Sequence, residues 1–291
     1  MKIVARIAAI ELVRTVSLVA AAASAFCMVM LTYYVLALPF SLYFGRILLE
    51  DWQVFSMAFG LAVLPAIFVA KVPAVAASNF DVIFATRRPS EREMTLFGGV
   101  EALLQERSVA TGIRLPRLVW RIQDSGELNA FAYAHNRVVF TKGLLLKYED
   151  TPSGIERLSG VIAHEIGHLR NWDTRFQMLH HYLNLPINFG VGIADRTLNR
   201  IPFFGLLFIA MTTVLCIPAK VAEMLINSIS RFTEYEADRF AARLIEGNRL
   251  SEILDDFSKM EEQQSDTFSA WIQRSHPPAE LRHEAVSKHV L

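Results

Sequence analysis

The sequence predicts a mostly α-helical, membrane-anchored fold with a small β-sheet, and three observations predict it. Long uncharged apolar runs interrupt a 291-residue chain that is 53% hydrophobic, with a mean hydropathy of +0.31. Segments with helical apolar spacing lie between and after those runs. Two short strand-like runs around a polar turn read as a hairpin. The apolar share exceeds that of an ordinary soluble domain, so part of it must face lipid or a very large core. The formal net charge is zero, which gives no attraction for nucleic acid or another polyanion. Cys27 and Cys216 lie far apart in apolar stretches. Neither a thiolate metal site nor a disulfide framework is available, so any metal must be held by histidine and carboxylate.

The first run has no charge between Arg14 and Arg46. About 20 residues cross a bilayer core, so residues 15–45 span with length to spare. A cleaved signal peptide is the competing reading, but its apolar core is about 7–15 residues and this run is too long. A second run, 52–70, contains Pro65, which membrane helices tolerate. A third run covers 201–219. Before it, residues 176–194 are apolar but carry His180, His181, Asn184 and Asn188, and hydropathy alone does not make them a span. Lys2, Arg6 and Arg14 precede the first span, and Lys71, Arg87 and Arg88 follow the second. Basic residues stay on the cytoplasmic side, so the N-terminus and the bulk after Lys71 are expected there.

From Pro89 the composition turns soluble. Residues 91–109 carry Met94, Phe97, Val100, Leu103 and Leu104 at helical spacing, weakened by Gly98 and Gly99. Residues 118–122 read as a strand, and 128–132 and 137–141 as two more joined near His135-Asn136. Ser153 is a candidate cap for a helix over 154–171. Residues 230–246 and 251–264 are further helical patterns.

The helix over 154–171 contains His164-Glu165-Ile166-Gly167-His168. Residues four apart share a helix face, so both imidazoles can reach one metal. Glu165 then points beside that metal, where a base takes a proton from an attacking water. The competing reading is a pair of polar helix residues facing solvent. Apolar Val161, Ile162, Ile166 and Leu169 surround them, and half-buried histidines need partners. A metzincin would place its third histidine at 174, where this chain has Thr174. The remaining source is a carboxylate from a later helix. Glu234 and Asp238, in Ser230-Arg231-Phe232-Thr233-Glu234-Tyr235-Glu236-Ala237-Asp238, share a face. Glu234 can bind the metal while Asp238 accepts the far N–H of a ligating histidine; Glu236 points elsewhere and reads as a surface charge. Two histidines and a glutamate suit one zinc ion, with a position left for water. His168 and Glu234 must then lie on one side of the membrane. An odd number of crossings between them is excluded, so 176–219 is expected to form a membrane hairpin of two spans or to lie in the interface.

These residues resemble the HtpX-like membrane metalloproteases, relatives of the endopeptidases that process prenylated CAAX proteins. The resemblance runs from about residue 91 to 291. It implies a gluzincin-type metallopeptidase; the apolar runs give about four transmembrane helices, fewer than the prenyl-protein endopeptidases carry, which makes CAAX processing the less expected activity. Residues 1–88 would be an anchor of two spans, and 89–291 a peptidase domain interrupted by the hairpin. It further implies that Asn129, Ala130, Phe131 and Ala132 form an edge strand that aligns substrate by β-addition. Ser275-His276-Pro277-Pro278 and Arg282 resemble the family's C-terminal motif, which makes His276 a candidate catalytic residue near the oxyanion. A structural turn, with Arg282 in a salt bridge, is the other reading. His180 and His181 are alternative ligands or interfacial polar residues. The expected activity is zinc-dependent endoproteolysis of protein or peptide substrates, chiefly membrane proteins. The setting is the inner membrane, with the catalytic domain cytoplasmic and a quality-control role. A dedicated processing protease and a non-catalytic membrane adaptor are the alternatives.

Overall fold

A computed structural model describes residues 2–45, 49–149 and 153–245. His276, Arg282 and the helical pattern at 251–264 lie outside the described residues. The order is α1 (Lys2–Phe44), α2 (Asp51–Lys71), α3 (Pro73–Ile83), β1 (Thr86–Arg87), α4 (Glu91–Thr111), β2 (Val119–Gln123), β3 (Ala130–Tyr133), β4 (Arg137–Thr141), α5 (Lys142–Tyr148), α6 (Gly154–Arg170), α7 (Asp173–Arg200) and α8 (Pro202–Ile245). The chain forms two compact units. One comprises Met1–Val72 with Phe176–Ile229; the other comprises Pro73–Arg175 with the chain from Ser230 onward.

The first unit is built from α1, α2 and parts of α7 and α8. Among the described residues, three helices are long and apolar enough to cross a membrane: α1 from Ala5, α2 and α8. The side-chain pattern of α2 is inverted relative to a soluble helix. It buries Val54, Ala58, Ala62, Ala66 and Val69, while Phe55, Phe59, Leu64 and Phe68 are exposed. Small residues let membrane helices approach, and exposed aromatics of this density are stable against lipid rather than water. Met28 packs with Ala25, Ala62, Ile187 and Ala219. Leu31 packs with Ala194 and Phe208. Later residues of α7 thus pair with earlier residues of α8, as in an antiparallel hairpin turning at Ile201. α7 is helical throughout, but its polar residues keep it outside the set apolar enough to span. The third apolar run from Pro202 and the described part of the helical pattern at 230–246 are one helix, α8, continuous through Pro218 to Ile245.

The second unit holds a four-stranded sheet of order β1-β2-β4-β3. β2 runs parallel to β4, and β3 and β4 form the expected antiparallel hairpin. α4 starts at a capping box in which Ser90 Oγ accepts from the Glu93 N–H and Glu93 accepts from the Ser90 N–H. It ends at Gly112, in the left-handed region at φ 69°. These ends offset the cost of Gly98 and Gly99 within it. α4 buries Phe97, Val100 and Leu104, while Met94 faces outward. Phe97 stacks on Trp120 of β2 with centroids 4.7 Å apart. α6 lies against α4 and β3 and is buried continuously from Leu158 to Leu169. Ala241, Leu244 and Ile245 of α8 complete the same core. Ser153 sits at the N-terminus of α6, but its hydroxyl accepts from Arg157 Nε rather than from a backbone N–H.

Candidate metal centre

Helical spacing puts His164 and His168 on one face of α6, and packing buries that face. Gly167 lets the next element approach. A Cβ there would lie 2.7 Å from Ala237 Cα of α8, closer than any side chain permits. The missing methyl brings the backbone of α8 onto α6, one turn beyond Glu234 and one residue before Asp238. His164 is 7% exposed, His168 8% and Glu234 3%.

Both rings are oriented from behind. His164 Nδ1 lies 2.8 Å from Asp238 Oδ1, and His168 Nδ1 lies 2.7 Å from Asp173 Oδ2. A carboxylate only accepts, so each Nδ1 carries a proton, and in a neutral ring that leaves Nε2 as the acceptor. The two Nε2 atoms face each other at 3.0 Å. Glu234 Oε2 is 3.4 Å from His164 Nε2, and its Oε1 is 3.4 Å from His168 Nε2. Three acceptors therefore converge in a buried space, an arrangement that repels itself unless a cation joins them. Donors bound to one tetrahedral zinc at about 2.0–2.1 Å stand roughly 3.3 Å apart. The observed spacings match that value, and the residues fit a metal. Among the described residues, His164, His168 and Glu234 are the group that could hold one.

Glu165 is buried beside His164 on α6. Glu236, read as a surface charge, pairs with Arg239 at 2.6 Å. His180 stacks on Phe176 and is within hydrogen-bond distance of Asn184, while His181 packs edge-on against Tyr182; neither belongs to the metal group. Sequence reasoning missed Asp173. Its only signal is an acid in the first turn of α7, five positions after His168.

The sheet edge beside α6 is β3, which pairs only with β4 among the described residues. Asn129 precedes the strand: its N–H donates to Thr141 Oγ1 and its carbonyl accepts from the Thr141 N–H. Antiparallel pairing alternates, so Phe131 and Tyr133 also turn their backbone groups to β4. Ala130 and Ala132 turn theirs to the open edge. Their side chains pack on the α6 core, while Phe131 and Tyr133 meet Phe84. The Tyr133 hydroxyl donates to Asp81, which also pairs with Arg121 and Arg137. Burial and that bond push the Tyr133 phenol far up. At the hairpin tip His135 is held below the ordinary imidazole value, first by burial and then by nearby Arg175.

The profile of peptidase family M48 matches residues 96–290. The chain is 29% identical over 208 residues to Protease HtpX of Pseudomonas putida (strain GB-1), covering 67% of this chain and 66% of that protein. It is 33% identical over 174 residues to a Protease HtpX homolog of Dictyoglomus turgidum, covering 54% of this chain and 52% of that relative. Over 270 residues it is 26% identical to Protease HtpX of Pseudomonas fluorescens, covering 82% and 86%. The match therefore spans between about half and most of these relatives' length. With the His-Glu-x-x-His helix, the third acidic donor and the C-terminal part of the chain all inside the matched region, the chain belongs to peptidase family M48.

Proposed function

We propose that this chain is a membrane-anchored zinc endopeptidase that cleaves membrane proteins as part of their quality control. The reading is carried by one observation: two ring nitrogens and a carboxylate converge at 3.0–3.4 Å, close to the spacing of donors around one tetrahedral zinc. His164, His168 and Glu234 would hold the ion, and Asp238 and Asp173 would fix the tautomer of each ring. A bound zinc supplies Lewis acidity, polarising a carbonyl oxygen and lowering the pKa of a water towards about 7. Glu165 accepts a proton from the attacking water at a carboxylate oxygen and delivers it to the departing amine nitrogen. Ala130 and Ala132 hold the substrate extended by pairing their outward backbone groups with it. His276 remains a candidate donor to the oxyanion. The apolar helices and the basic residues flanking the first two support an inner-membrane setting with the catalytic unit on the cytoplasmic side.

The test is Glu165→Gln in full-length protein purified in detergent. Metal content stays at the wild-type level, while cleavage of casein or of the protein itself falls by at least ~10³-fold, since the base is lost with the ligands intact. Cleavage at the wild-type rate would refute the mechanism.

A further inference from the structure

The turn that joins α6 to α7 holds two things at once. Trp172 sits there at φ 66°, in the left-handed region, and the two residues after it turn inward and are buried. Asp173 reaches His168 Nδ1 at 2.7 Å. Its neighbour Thr174 donates from Oγ1 to the carbonyl of Ala134 at 2.6 Å. Ala134 directly follows β3 and is itself left-handed, at φ 53°. That conformation costs an L residue about 1 kcal/mol or more, so something must hold it. A buried hydroxyl on its carbonyl does so.

We infer that Thr174 is a positioning residue for substrate: it fixes the tip of the β3–β4 hairpin to the same two-residue segment that orients His168. The open edge at Ala130 and Ala132 is thereby set in height and register against the histidine helix. An extended peptide on that edge presents one particular bond to the metal rather than a sliding range of bonds. Asp173 and Thr174 are adjacent, so one short turn carries both contacts, one to the ring and one to the strand. This inference rests on the peptidase reading above for the identity of the substrate, but not for the placement of the strand.

The experiment uses the full-length protein in detergent with Thr174→Val, Thr174→Ser and Asp173→Asn. Three quantities are measured: zinc affinity by chelator competition, amide exchange at Phe131 and Tyr133, and KM and kcat on an extended peptide. Thr174→Val removes the donor while keeping the shape. It should speed exchange at both amides and raise KM about tenfold, with kcat changed less than about twofold. Zinc affinity should stay within about twofold of wild type, because the His168 contact is untouched. Thr174→Ser, which restores the hydroxyl, should return both values to wild type. Asp173→Asn should do the reverse, lowering zinc affinity about 10–100-fold with little effect on exchange in β3. Unchanged exchange and KM in Thr174→Val would overturn the inference. So would a matching loss of zinc affinity, which would make Thr174 a general prop for the turn. A wild-type protein that cleaves no peptide would sink the peptidase reading, while the exchange measurement would still decide whether Thr174 holds the strand.

Discussion

Replacing Gly167 with alanine tests how the site is assembled. In an ordinary helix interior the change is favourable by roughly 1 kcal/mol, because glycine is the poorer helix former. Here the new Cβ would stand 2.7 Å from Ala237 Cα and 3.0 Å from Ala237 Cβ and O. Ordinary contact needs roughly 3.4–4 Å between such atoms, so α8 must retreat by about 1 Å at this point. Overpacking of this kind costs about 1–3 kcal/mol, which outweighs the helix-propensity gain. The larger effect falls on the metal. Glu234 lies one turn before Ala237 and Asp238 one residue after it, and ligand distances tolerate only about 0.2 Å. Zinc affinity, read by competition with a chelator in detergent, should therefore fall at least ~100-fold. The thermal midpoint of the metal-free protein should drop by a few degrees. Adding Ala237→Gly relieves the Cβ contact but not the backbone contacts, so the double variant should recover only in part. A Gly167→Ala protein that binds zinc like wild type would refute the claim that this close approach sets the third ligand.

Further outcomes follow from other parts of the second unit. Ala132→Pro removes an N–H that faces the open edge, leaving the ladder to β4 intact. KM for an extended peptide should rise about tenfold or more with metal content unchanged, and an unchanged KM would remove β3 from substrate binding. Glu93 receives two bonds at 2.8 Å from Arg87. Those bonds, opposed by partial burial and aided by the Ser90 N–H, hold its carboxyl down to about 2. A folded-state value below the unfolded one stabilises fully above the unfolded value and is lost as pH falls through the folded one. Glu93→Gln should thus cost about 1–2 kcal/mol at pH 7, discounted because Arg87 is more than a third exposed. The gap from wild type should narrow between about pH 4.5 and pH 2 in urea unfolding. A gap constant across that window would show that the ion pair contributes nothing to stability.

What could be read from the sequence was local or periodic. The four-residue spacing of His164 and His168 fixes a shared face in any helix, and Glu234 and Asp238 repeat the same geometry. The alternation on either side of His135-Asn136 marks the hairpin. Other features leave no periodic trace. β1 has only two residues, and α5 seven. α3 starts at Pro73, two residues after α2 ends at Lys71, and its apolar character merges with that of α2. The parallel pairing of β2 with β4 depends on where the chain returns, not on composition. Asp173 contacts His168 through a left-handed Trp172, a backbone state that nothing in the residue type announces. Gly167 looks like a helix-weakening residue until the backbone of α8 is seen against it. The unbroken course of α8 through Pro218 was hidden because a proline and a change from apolar to charged residues mimic a helix boundary.

His164, His168 and Glu234 are placed to hold a single metal ion. Elemental analysis combined with X-ray absorption on the full-length protein purified in detergent counts that ion and its ligands, with Glu234→Gln measured beside it. The expected result is one zinc per chain in nitrogen and oxygen coordination at about 2.0–2.2 Å, and loss of most of that zinc in the variant. A wild-type protein without a tightly held divalent metal, or a Glu234→Gln protein with its full complement, would rule out this ligand set.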